Sequence, residues 1–81
     1  MISLKPKSIE ILKQCLIHNR NDLLWILETS ENIIIDKNLG IKLQDAVEEE
    51  LVGFGLNEND MPNPYGLLLE MLIDEIGAHY I

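Results

Sequence analysis

The sequence predicts an all-α chain, a compact four-helix domain with short connections. Three observations predict it. Apolar residues recur at helical spacing in separate segments, Pro6, Asp36 and Asn63-Pro64 supply helix-start signals, and the one β-branched run, Ile33-Ile34-Ile35, has no second strand to pair with. An 81-residue chain has room for one core, so residues 1–81 read as a single helical domain. With 47% apolar and 25% charged residues the chain is too hydrophobic for disorder.

The first helix opens at Pro6, whose ring suits a first turn, and Ile9, Leu12 and Leu16 carry its stripe to about His18. The polar cluster His18-Asn19-Arg20-Asn21 ends it. Asn19, with Asp22 three places on, resembles a capping arrangement and predicts a short helix from Arg20 to about Thr29. The Ile33-Ile34-Ile35 run then reads as a buried extended connector. Asp36 is the expected cap of a third helix reaching about Val52, ended by Gly53 in a left-handed conformation. After a loop over residues 55–63, Asn63 as cap and Pro64 at the first position open a fourth helix that runs to about Ala78.

Charge divides the chain. Residues 1–42 hold all six basic residues against five acidic ones, whereas residues 43–81 hold nine acidic residues and no Lys or Arg, for a net charge of −8 overall. A half without cations projects a negative field that repels nucleic acid and attracts basic protein surfaces. The expectation is a basic protein partner and no direct binding to DNA or RNA. No apolar run approaches a membrane span, residues 1–7 lack a leader pattern, and the lone Cys15 has no disulfide partner. These features predict a cytoplasmic protein.

On a helical wheel, Leu39, Leu43, Ala46, Val47 and Leu51 share one face of the third helix, and Asp45, Glu48 and Glu49 lie opposite. Glu50 falls in the apolar face. An ionised carboxylate there must be hydrogen-bonded or shift its pKa; the expected partners are backbone N–H groups of the following loop, with a role as acid, base or partner contact as the alternative. The fourth helix places Tyr65, Leu68, Leu69, Leu72, Ile73 and Ile76 inward and exposes Leu67, Glu70, Met71 and Asp74. This mixed ridge, the loop acids Glu58 and Asp60, and the Asp45, Glu48, Glu49 face are the candidate partner surfaces. Trp25 lies opposite Leu23, Ile26 and Leu27, so either its helix is central in the domain or the indole lies at a homodimer or partner contact.

Signals for chemistry are sparse. His18, His79 and Cys15 share no ligand spacing, so no metal site is expected. The oxygen-rich stretch from Asn57 to Asp60 has Pro62 where a calcium loop needs glycine and Leu68 where it needs glutamate. The hydroxyls of Ser3, Ser8, Thr29 and Ser30 form no triad pattern with the histidines, no glycine-rich phosphate loop is present, and no cofactor is expected. A non-enzymatic binding module follows, with a structural or regulatory homo-oligomer as the alternative and a nucleic-acid mimic behind both.

Residues 46–74, AVEEELVGFGLNENDMPNPYGLLLEMLID, combine a helix, a glycine turn, an acidic Asn/Asp loop and a proline-started Tyr-Gly-Leu helix. This pattern resembles the C-terminal part of small acidic bacterial proteins of the toxin-immunity type. The resemblance implies a cytoplasmic inhibitor that neutralises a basic toxin domain.

Overall fold

Pro6 starts α1 (Pro6–Asn19), which buries Leu12, Cys15 and Leu16 along one stripe. No side chain of its own caps the helix start. Instead Glu75, from the far end of the chain, accepts the Lys5 N–H at 3.2 Å and the Ser8 hydroxyl, placing a negative charge where the helix dipole favours it. The computed structural model describes residues 2, 4–30 and 32–79; Ser3 and Glu31 lie outside that description.

The segment expected to form one helix from Arg20 to Thr29 is divided into a 3-10 turn at Asn21–Leu23 and a single helical turn, α2 (Trp25–Glu28). The expected cap does not form. Asn19 stays in α1 as its last residue, its side-chain amide donating to the Ala46 carbonyl at 3.1 Å, and no side chain caps the 3-10 turn or α2. Within this segment Leu23 and Ile26 are buried, but Trp25 is 53% exposed. The central placement considered for the indole is therefore excluded.

In the connector, Ile33 makes one parallel bridge with Ile2, and Ile35 is buried. Ile34 points the other way and is 86% exposed, as alternation along an extended chain requires. Asp36 then caps α3 (Lys37–Phe54), its carboxylate accepting the Leu39 N–H at 2.8 Å. Helix α3 buries Gly40, Leu43, Ala46, Val47 and Glu50.

Gly53 does not end this helix. No glycine in the described residues has a positive φ, and α3 continues to Phe54. Asn63 makes the left-handed turn unnecessary. Its amide donates to the Phe54 carbonyl at 3.0 Å, its backbone N–H donates to the Gly55 carbonyl at 2.8 Å, and its side-chain oxygen accepts the Gly66 N–H at 2.8 Å. One residue thus closes α3 and opens α4 (Pro64–Ala78). The loop between them turns at Asp60, which takes a left-handed φ of 59°.

Helices α3 and α4 pack as a hairpin, and α1 lies against both. Where the chain leaves α3 and enters α4 two glycines meet: a Cβ on Gly66 would sit 2.1 Å from the Gly55 carbonyl oxygen, inside any allowed contact. At the opposite end, Gln44 donates to the Ile73 carbonyl at 3.0 Å. The core between the three long helices contains Leu12, Leu16, Leu43, Val47, Leu69, Leu72 and Ile76. Among the described residues no helix is long and apolar enough to cross a membrane.

Candidate functional site

Among the described residues Glu50 is the one charged residue in the core, 1% exposed. Helical spacing turns its side chain from α3 toward α1 and α4, where three donors converge on it. Nδ1 of His18 lies 2.9 and 3.0 Å from its two oxygens, the Tyr65 hydroxyl donates at 2.8 Å and the Asn19 amide at 3.2 Å. A carboxylate only accepts, so His18 must carry its proton on Nδ1. The expectation that Glu50 bonds the backbone of the following loop is corrected: its partners are side chains of two other helices.

Cys15 lies beside this cluster. Burial, reinforced by the Glu50 charge, pushes its thiol from 9.0 up to about 12. Burial and then the bond to Glu50 likewise hold the Tyr65 phenol above its usual range. A thiol in this state is a poor nucleophile, because the thiolate is the reactive form. The arrangement therefore ties α1, α3 and α4 together through satisfied hydrogen bonds, and no buried side-chain polar atom among the described residues lacks a partner. Among those residues no group of three His, Cys, Asp or Glu side chains is placed to hold a metal ion.

The carboxylates on the other side of α3 have a different setting. Asp45, Glu48 and Glu49 line an open depression of about 520 Å³ together with Val52 and Gly53. Val52 is 74% exposed at its end. Phe54 is also exposed, and its ring rests against the part-exposed His18 imidazole at a centroid distance of 5.4 Å. The charge of this face reaches the end of α1. Arg20 grips Asp22 through two hydrogen bonds of 2.9 and 3.0 Å, and that bond, with smaller contributions from Glu49 and Asp45, holds the guanidinium above its usual range. The same contact holds the Asp22 carboxyl below its own.

The remaining sequence candidates fall into three places. Glu58 and Asp60 are exposed in the loop between α3 and α4, where the Asn57 side-chain oxygen accepts the N–H groups of Asn59 and Met61. Leu67, Glu70, Met71 and Asp74 are exposed on α4, joined by Leu68, which was expected inside. Trp25 stands on α2. Sequence reasoning placed Glu50 in the core but missed His18, Asn19 and Tyr65 as its partners. The available signal was the spacing of Cys15, His18 and Asn19, which puts all three on neighbouring turns of one helix face.

Comparison with known proteins finds no family model, curated protein or solved structure that matches the chain.

Proposed function

We propose that this chain is a non-enzymatic binding module whose acidic α3 surface covers a basic partner protein, in the manner of an immunity or antitoxin protein. The observation that supports it best is the depression bounded by Asp45, Glu48 and Glu49 with Val52 exposed at its end. Carboxylates around an apolar contact suit a lysine- or arginine-rich surface, since charge steers the encounter and the apolar group gains from losing water. Arg20 lies in the field of this face, so the face already acts on a cation from its own chain. The absence of Lys and Arg from residues 43–81 leaves the field uncompensated along the second half of the sequence. The immunity-type resemblance of residues 46–74 makes the partner a toxin domain and its setting the cytoplasm.

The test is affinity capture from the source cells with the wild-type chain and with the Asp45→Asn, Glu48→Gln, Glu49→Gln triple variant. A basic protein should be held by the wild type, lose at least about tenfold in affinity between low and physiological salt, and bind the triple variant about tenfold more weakly. A partner bound equally by both chains and indifferent to salt would overturn the reading.

A further inference from the structure

We propose that the outward face of α4 is a self-association surface, which docks a second copy of this chain with the two α4 helices parallel. The face is independent of the α3 depression. Successive residues of an α-helix advance about 100°, and this sorts the exposed side chains of α4 into an ordered series. Nearest α1 stands Leu68, followed by Met71, and both share a depression of about 170 Å³ with Lys5, Lys7 and Glu75, the carboxylate of Glu75 being held by the Lys5 N–H and the Ser8 hydroxyl. Leu67 comes next, then Asp74 and Glu70 on the side away from α1. Across the face a rim of two lysines and the hydrogen-bonded Glu75, net positive, is followed by the apolar stripe and then by a rim of two carboxylates.

Such an order is complementary to itself. A two-fold axis that lies in the contact plane parallel to α4 reverses the order in the second copy. Each lysine rim then meets a carboxylate rim, and Leu67, Leu68 and Met71 meet their counterparts between them. An axis across the helix would instead set lysine against lysine and acid against acid, so charge selects the parallel arrangement. The central stripe supplies the reason to associate: Met71 is 65% exposed, and Leu67 and Leu68 extend the same apolar patch. One helix face per copy makes a small interface, below roughly 1,200 Å² in total, so the dimer should be weak and concentration-dependent.

Light scattering over a concentration series tests this with two charge-reversed variants, Lys5→Glu/Lys7→Glu and Glu70→Lys/Asp74→Lys. The wild type should rise toward twice the chain mass. Each variant alone should associate at least about tenfold more weakly, because like charges then face each other at both rims. Their equimolar mixture should recover wild-type association, since the reversed rims of the two variants are mutually complementary. Met71→Glu, which leaves both rims intact, should also remain monomeric. Circular dichroism confirms that each variant is folded. A wild type that stays monomeric at the highest concentration reached would overturn the proposal. So would a dimer that survives both charge reversals, one abolished only by Trp25→Ala, or a mixture that fails to reassociate.

Discussion

Glu48, Glu49 and Glu50 are consecutive on α3 and chemically identical, yet two stand in water and the third is 1% exposed beneath three donors. The difference comes from rotation about the helix axis. One step of about 100° carries the side chain from the solvent-exposed face to the junction of three helices. In water the carboxylate contributes field and little stability. In the core it is retained only because His18, Asn19 and Tyr65 replace the water it has lost.

The contrast can be broken by substitution. Glu50→Ala takes the carboxylate acceptor from the Tyr65 hydroxyl, leaves the Asn19 amide with the Ala46 carbonyl alone and opens a void, and should cost about 3 kcal/mol or more in denaturant unfolding. Alkali should probe the same junction through Cys15. An unfolded thiol ionises near 9.0 whereas the folded one holds its proton to about 12, so over that interval the unfolded chain binds fewer protons. Stability is therefore unaffected below 9.0 and falls as pH rises above it, by roughly 1 kcal/mol at pH 10. Tyr65 adds loss of the same sign above its ordinary 10.0. Cys15→Ala should remove the first part of this decline, and thiol reagents should modify Cys15 only on unfolding. Tyr65→Phe deletes one of the three donors and should cost about 1 kcal/mol. Glu48→Gln and Glu49→Gln should change stability by less than about 0.5 kcal/mol, while weakening capture of the basic partner. Equal stability losses at all three glutamates would erase the distinction.

Much of the helix framework was legible in sequence because its signals are local. Pro6, Asp36 and Asn63-Pro64 mark three helix starts, and periodicity places Leu43, Ala46 and Val47 inward. Where a side chain had two possible partners, sequence could not choose. Asn19, expected to cap the next helix, instead ends α1 with its amide on Ala46 and Glu50, and the helix expected after it is a 3-10 turn followed by a single helical turn. Asn63 displaced Gly53 as the device that ends α3, through a bond to a carbonyl nine residues back. The candidate surfaces follow the same division. Exposure of Asp45, Glu48 and Glu49 follows from the helical wheel. Val52, one turn beyond Glu48 on the same face of α3, was open to the same wheel reading, whereas that Lys5 and Lys7 border the apolar stripe of α4 depends on how helices meet.

The junction at Glu50 also sets an order of events. Tyr65 lies 15 residues from Glu50, inside the α3–α4 hairpin, whereas His18 lies 32 residues away on α1. Closing the shorter loop loses less chain entropy, so the hairpin should organise before α1 returns to it. The two sides of one carboxylate are then formed at different times. Tyr65→Phe should slow refolding, whereas Asn19→Ala should chiefly accelerate unfolding, with the two arms of a chevron plot separating the effects.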